Sequence, residues 1–569
     1  MPGFFVSNKK NSDDINNYDN DRCFQDCFRY QKWTIQVNAL NKFRNDKIFW
    51  QDDDVVIILD GIVFNKHELS KSIGCEDWKQ TVKKLFEMEE DFYKHLRGCF
   101  CGAILNKKTG KWFVFTDQIA NHSVFVYSDN GHIAFGTQVN YFSEWMKVNG
   151  IKRAVDQRWT NDILSFGFVM DTHCILKGVT RVFPGSYAII NTSDGAVQEK
   201  HYYRIQKNCM KKDENRWIEE LEETFQNAVD RIVNKCKEYQ TSLIVDVSGG
   251  LDSRMIAAHI PSDKDRRLIG VNYAQSGSQD QKIATIVSKK LSIPLLQYYM
   301  DGGDCLKEID DLVFMNQGMN FFSGITGGKK VLESLDRNEF GAEIWGALGD
   351  IYDGGIIATD GLSKPTWDRE QFRTSHMLPV YNKEGYPRQY PDNEILWFFV
   401  RAIFAGENTG FIRQNYVECP TPYGDVEYLN LLFSIPYELR TDGHLLRKWM
   451  IKKYPELSRI RYSGTGVKVM DSDKSERIHA FPRRVKSKLS RMIQDDGSYS
   501  MNPFDYWIEQ NPSLKKTYND YYINNVNILE FDEQLKQKVE ELYCSFSSKA
   551  IDKMLALTVI SAIEQFVLK

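Results

Sequence analysis

The chain runs to 569 residues, more than a single hydrophobic core supports, so two or three domains are expected. Its formal net charge is −4 with both signs interspersed, which excludes the basic footprint of a nucleic-acid binder. No apolar run reads as long enough to span a bilayer, no signal-peptide pattern opens the chain, and its eleven scattered cysteines read as reduced thiols in a cytoplasm. Cys23/Cys27 and Cys99/Cys101 are the close cysteine pairs, neither at zinc-knuckle spacing. The ten histidines show no H-x-x-x-H pattern, so no histidine-built metal site is expected.

Met1-Pro2-Gly3-Phe4-Phe5 leads straight into structure-like sequence, and the apolar run 55–59 passes into Asp60-Gly61. Segments 98–104 and 111–117 pair as a hairpin around 106–110, and 124–127 pairs with 132–137, with a helical stretch over 77–92 between. Strands at hairpin spacing with an interposed helix predict an α+β layered domain. The order of these pieces resembles the glutaminase domain of the asparagine synthetases, which implies an αββα sandwich over residues 1–205. In that family the mature chain begins with a cysteine whose thiol attacks glutamine with its own α-amine as base, and an Asn-Gly pair forms the oxyanion hole. Here Pro2 stands at the cysteine position and offers no nucleophile, while Asp60 stands at the oxyanion asparagine, where a carboxylate would repel the developing charge. The domain is therefore expected to be an inactive glutaminase kept for structure or interaction. Cys23 and Cys27 are the nearest alternative nucleophiles, though neither joins thiol and α-amine in one residue.

After a polar connector at 209–213, Trp217, Leu221, Phe225, Val229, Ile232 and Val233 recur at helical spacing, with acids early and Lys235 and Lys237 late. That is an amphipathic helix aligned with its dipole. It delivers the chain into the apolar run 243–247, then Ser248-Gly249-Gly250-Leu251-Asp252-Ser253, then a helix resuming at Met255. A strand, a glycine turn and a helix N-terminus make an anion site, because unpaired amides and the dipole both favour negative charge. No Gly-Lys-Ser/Thr ends the loop and its glycines lack G-x-G-x-x-G spacing, so it is neither a Walker nor a Rossmann loop. Runs at 267–273 and 294–299, with a helix over 279–291, continue as βαβ units of a parallel sheet. Ligand is then expected at the strand carboxyl ends, where Ser248 and Val271 fall.

Ser-Gly-Gly-Leu-Asp-Ser resembles the pyrophosphate loop of the ATP pyrophosphatases, among them the asparagine synthetases. The resemblance implies a HUP-like parallel-sheet domain with a helical C-terminal region over 206–569, and cleavage of ATP between its α and β phosphates. The nucleotide would rest on Ser248, Gly249, Gly250, Leu251, Asp252, Ser253, Val271 and Gly346. The stretch 343–355, Glu-Ile-Trp-Gly-Ala-Leu-Gly-Asp-Ile-Tyr-Asp-Gly-Gly, resembles the family motif Ser-Gly-Glu-Gly-Ser-Asp-Glu-x-x-Gly-Gly. It implies Asp252 and Asp350 as the carboxylates that hold Mg²⁺ on pyrophosphate. Ala347 replaces a family glutamate that handles the incoming nitrogen. Asp280 matches a family acid and reads equally as a helix N-terminal acid. Asp425 follows the turn 419–424 and reads as a substrate-side or helix-capping carboxylate. Family members carry a lysine in a Gly-rich loop that stabilises the reacting α-phosphate. Here Ser463 aligns nearest to it, with Arg461 and Lys468 on either side as the candidate cations. The polar stretch 371–388 and the basic stretch 483–491 read as a surface excursion or lid and as a solvated face.

The family implies an ATP-dependent ligase that adenylates a small-molecule or peptide carboxylate and passes it to ammonia or an amine. The β-lactam synthetases and lasso-peptide cyclases are similar in keeping both domains without the cysteine. The pattern over 435–466 looks closer to synthetase-like proteins of bacterial surface-glycan clusters. Asparagine synthesis from aspartate and ammonia, and a catalytically dead scaffold, are the competing readings. A second copy of the chain or a partner protein is left open.

Overall fold

The structure is a computed structural model that describes residues 2–11, 22–208, 210–261, 268–322, 326–336, 338–349, 362–365, 372–379, 390–463, 466–471 and 500–569. Two six-stranded antiparallel sheets form the first part. One joins β1 (Gly3–Ser7), β2 (Cys23–Tyr30), β3 (Trp33–Leu40), β8 (Phe125–Asp129), β9 (His132–Gly136) and β10 (Thr180–Arg181) in the order β10-β8-β9-β1-β3-β2. The other joins β4 (Ile48–Gln51), β5 (Val55–Val63), β6 (Gly98–Asn106), β7 (Lys111–Thr116), β11 (Ser186–Asn191) and β12 (Val197–His201) in the order β12-β11-β7-β6-β5-β4.

Strand alternation sorts the side chains into layers. Phe4 and Val6 of β1 meet Val56, Ile58 and Trp112 between the sheets. Phe5, between them in sequence, points the other way onto Tyr141, Phe142 and Trp145 of α3 (Val139–Val148). On the far side, α1 (Lys66–Ile73) and α2 (Trp78–Met88) cover the second sheet, with Val82, Leu85 and Phe86 against Ile57, Leu59 and Phe113. This is the expected αββα sandwich, closed by α4 (Gln157–Phe166).

The second part is built on a four-stranded parallel sheet, order β15-β14-β13-β16: β13 (Ser242–Asp246), β14 (Leu268–Ala274), β15 (Leu295–Tyr299) and β16 (Phe340–Ile344). The predicted amphipathic helix is α5 (Glu214–Glu238), capped by Asp213, whose carboxylate accepts from Arg216 N. Its Trp217, Leu221, Phe225 and Val229 bury against Leu243 and Val245 of β13. Ile244, pointing oppositely, packs on Val331 and Leu332 of α9 (Thr326–Ser334), which follows α8 (Ile309–Met315). The helices α6 (Asp252–His259) and α7 (Gln279–Leu291) connect the first three strands. A helical region fills the C-terminal end.

One segment corrects the reading that no apolar run is long enough to cross a bilayer. The helix Asn393–Arg413 passes that test by length and composition, and 67% of its most apolar window is buried inside the fold. A buried core helix satisfies the same criterion, and here it carries Glu394, Glu407 and Arg413 into the interior.

Candidate active site

Ser248–Ser253 leaves the carboxyl end of β13 and enters α6, as the motif predicts. Its amides are not simply open. Ser248 N donates to Ser253 Oγ at 3.1 Å, and Gly250 N donates to Ser248 Oγ at 3.1 Å. Gly249 N donates to Asp280 Oδ1 at 2.7 Å. The other Asp280 oxygen accepts from Asn272 Nδ2 at 2.9 Å, and that amide group also donates to Val247 O. Asp280 thus braces the loop from the first turn of α7, and burial pushes its carboxyl up from the ordinary range. Gly249 is needed for close approach: a Cβ there would stand 2.8 Å from Ser463 Cβ and 3.0 Å from Asp280 Cα.

Val271 contributes through its backbone. Its carbonyl accepts from Val247 N at 2.9 Å, while its side chain lies in the apolar cluster with Ile244 and Val331. Asp252 sits against the second glycine turn. A Cβ on Gly346 would come within 3.3 Å of Asp252 Cβ, and one on Gly349 would collide with the Asp252 carboxyl carbon. Tyr423 Oη donates to Asp252 O at 3.1 Å. Asp350, the other expected metal ligand, lies outside the described residues, as do Gly354, Gly355 and the basic stretch 483–491. Among the described residues no group of three His, Cys, Asp or Glu side chains is placed to hold a metal. The turn still fits Mg²⁺ on a phosphate, because that ion takes one or two protein carboxylates and fills its shell with phosphate and water oxygens.

Arg461 and Lys468 are exposed and face each other across an antiparallel bridge. Arg461 Nη1 donates to Gly466 O at 2.7 Å, and Lys468 N donates to Asp471 Oδ2 at 3.0 Å. Ser463 meets the Ser248–Ser253 loop, donating from its N to Gly249 O at 2.9 Å. Asp425 caps the helix Val426–Ser434, its Oδ1 accepting from Glu427 N and Tyr428 N and its Oδ2 from Arg231 Nη2 at 2.7 Å. Both of its oxygens are thereby engaged in holding that helix to α5.

Sequence reasoning did not find a buried ionic group at the strand carboxyl ends. Arg413 Nη2 donates to Asp246 Oδ2 at 3.1 Å and to Tyr273 Oη at 2.8 Å, its Nη1 pairs with Glu343, and its guanidinium lies 4.6 Å from the Trp345 ring centre. Burial would depress the Arg413 guanidinium, but Asp246 and Glu343 hold it well above its usual range, and burial raises Glu343. No periodic pattern announces such a group, since Arg413 stands 68 or more residues from each of its partners in sequence.

The first domain's expected catalytic position lies at a polar cavity of about 30 Å³ lined by Pro2, Asp60, Lys47, His122, Gln138 and Glu418 among others. Asp60 is not an exposed carboxylate there. Lys47 Nζ lies 2.9 Å from Asp60 Oδ1 and 3.0 Å from Glu418 Oε1, and His122 Nε2 lies 2.7 Å from Glu418 Oε2. Burial alone would lower the Lys47 ammonium, yet the two carboxylates lift it above its ordinary value. Glu418 comes from the second domain, where its backbone pairs with β16 through Glu343 N and Gly341 O. Neither Cys23 nor Cys27 lines the cavity.

A glutamine amidotransferase domain family matches residues 40–203, and an asparagine synthase family matches residues 220–323. Asparagine synthetase (glutamine-hydrolyzing) 2 of Bacillus subtilis (strain 168) is 22% identical over 281 residues, covering 47% of this chain and 37% of that protein. Asparagine synthetase (glutamine-hydrolyzing) 3 of the same organism is 23% identical over 218 residues, covering 37% and 34%. The chain thus spans about a third of the length of the curated relatives it matches. Two solved structures, an allosteric regulatory enzyme of purine biosynthesis and the glutamine phosphoribosylpyrophosphate amidotransferase of B. subtilis with ADP and GMP, align at 9% and 10% identity. Each covers 52% of this chain, and 74% and 59% of its own, with TM-scores of 0.24 and 0.23, too low to establish a shared fold across the molecule.

Proposed function

This chain belongs to the asparagine synthetase family, and from that premise we propose that it is an ATP-dependent amide-forming ligase without glutaminase activity of its own. The observation that carries the proposal is the Ser248–Ser253 loop at the carboxyl end of a central parallel strand, with Asp252 held against the Gly346–Gly349 turn. In this reading a substrate carboxylate attacks the α-phosphate of ATP, an acyl-adenylate forms and pyrophosphate leaves. An amine or ammonia then forms the amide and releases AMP. Loop amides and the α6 dipole hold the phosphates, and Asp252 with Asp350 would hold Mg²⁺, which neutralises charge on the departing pyrophosphate.

The first domain supports the other half of the proposal. Pro2 brings no thiol, and Asp60 is engaged with Lys47 rather than offering an amide donor to an oxyanion. The nitrogen is then free ammonia, ammonia from a partner, or an amine on a substrate, as in the β-lactam synthetases and lasso-peptide cyclases. Ala347, where the family has a glutamate, favours an acceptor other than ammonia on aspartate.

The test is pyrophosphate release from ATP and Mg²⁺ across a panel of carboxylates, with Asp252→Ala as control. Turnover with one acid, lost in Asp252→Ala, is expected. Absent nucleotide binding and no turnover with any acid would establish the scaffold reading instead. Glutamate release from glutamine above the no-enzyme rate would overturn the inactive glutaminase.

A further inference from the structure

The expected cations Arg461 and Lys468 are exposed, whereas one guanidinium is buried in the helix that follows the Ser248–Ser253 loop. Arg254 stands two residues after Asp252 in the first turn of α6 and is fully buried. Its Nη1 donates to Leu457 O at 3.2 Å and Ile460 O at 3.0 Å, and its Nη2 donates to Arg461 O at 2.9 Å. None of its partners among the described residues is a carboxylate. An arginine side chain is charged at neutral pH.

A buried cation is ordinarily matched by a carboxylate, because carbonyl dipoles alone recover only part of the lost hydration. Glu343 and Asp246 serve Arg413 in that way, and Glu394 serves Arg440. Arg254, like Arg181 with Asn408 and Ala120, bonds no carboxylate among the described residues, but Arg254 stands in the helix turn that follows the Ser248–Ser253 loop. It lies in the helix turn whose N-terminus closes the loop, so its charge adds to the dipole that favours an anion there. The three carbonyls it holds belong to the segment leading into Ser463, and Ser463 N–H grips Gly249 O. Gly249 is thus held on one side by Asp280 and on the other by a segment that Arg254 fastens.

We infer that Arg254 is a positioning residue of the phosphate site, fastening the Leu457–Ser463 segment over the loop and supplying the unneutralised positive charge that the site lacks at Ser463. The inference rests on the proposed nucleotide-binding role and names the group that tunes it for a polyanion. A capping role for the short helix Pro455–Ser458 alone would need the hydrogen bonds but not the charge.

The experiment is calorimetric titration of the full-length protein with pyrophosphate in Mg²⁺, comparing wild type, Arg254→Lys and Arg254→Gln. Both variants lose part of the fork, and only lysine keeps the charge. Arg254→Gln is expected to bind at least tenfold more weakly and Arg254→Lys within about threefold of wild type. Equal weakening in the two variants, or a folded Arg254→Gln within twofold of wild type, overturns the inference. Wild type that binds neither pyrophosphate nor ATP overturns the proposed function, and this inference with it. Should Arg254→Gln not fold, hydrogen exchange on wild type decides: pyrophosphate is expected to slow exchange over 457–463 as well as 248–253, and protection confined to 248–253 overturns the positioning role.

Discussion

Glu418 and Glu407 are both buried where the two domains meet, and their neighbours drive the two carboxyls apart. Burial alone would raise Glu418, but the Lys47 ammonium and His122 more than offset it and hold the group at about 2. Burial raises Glu407 to about 8, since its hydrogen-bonding partner is the neutral Asn121 amide. The signs follow by linkage. Glu418 ionises more readily in the folded chain than its ordinary 4.5, so its contribution is present above that value and is lost as pH falls toward 2. The separation corresponds to about 3 kcal/mol. Glu407 holds its proton longer when folded, so stability is lost as pH rises from 4.5 through 8. Glu418→Gln is therefore expected to lower the thermal midpoint at neutral pH and to flatten the acid limb of the stability curve. Glu407→Gln, which stays neutral, is expected to raise the midpoint more above about pH 8 than near pH 5. Midpoints recorded across that range check both, and parallel curves for wild type and Glu407→Gln would contradict the assignment.

At the scale of elements, the site depends on a helix start and a glycine turn lying in contact. Gly349 has an ordinary φ, so its requirement is purely steric: any Cβ there meets the Asp252 carboxyl. Gly349→Ala is expected to fold and yet lose at least tenfold in Mg²⁺-dependent pyrophosphate affinity, with Gly346→Ala milder because its Cβ has 3.3 Å of room. Equal affinities in the two variants would remove Asp252 from the metal role. This contact shows what a sequence carries and what it hides. The apolar run before Ser248, the period of α5 and the hairpin about residues 106–110 are local, and each appears where its pattern places it. β16 was legible only as motif residues, because Phe340–Ile344 mixes Glu343 into a buried strand and so breaks the apolar run that marks a central parallel strand. Glu343 is tolerated there by Arg413, 70 positions away, and a pairing of that span leaves no periodic trace. The same limit applies to Arg254, whose helix predicts a location but not that its guanidinium reaches three carbonyls beyond residue 456.

At the scale of the whole molecule, the first domain is joined to the core of its neighbour. One apolar cluster runs from Phe43, Ile62, Ile119 and Phe183 of the first part into Trp217, Phe225 and Leu432 of the second. Another joins Phe5 and Trp145 to Met554 and Ile560 near the C-terminus. The polar contacts cross as well: Lys47 to Glu418, Asn121 to Glu407, Arg181 to Asn408, and Lys235 to Asp46. Domains joined through shared apolar clusters and buried ion pairs lose stability together, because opening the interface strands charges in a dry interior. The full chain is accordingly expected to unfold in one calorimetric transition. Lys47→Met is the sharpest perturbation of that boundary, since it leaves Asp60 and Glu418 buried with one cation fewer. Removing one partner of a buried pair costs about 3–5 kcal/mol, so a large fall in the midpoint is expected. The further double variant Lys47→Met with Asp60→Asn is expected to recover part of that loss, because it removes one of the stranded charges. Two well-separated transitions in wild type, or a Lys47→Met midpoint unchanged from wild type, would mean that the first domain is merely tethered and that its hold on Glu418 does not support the strand beside the Ser248–Ser253 loop.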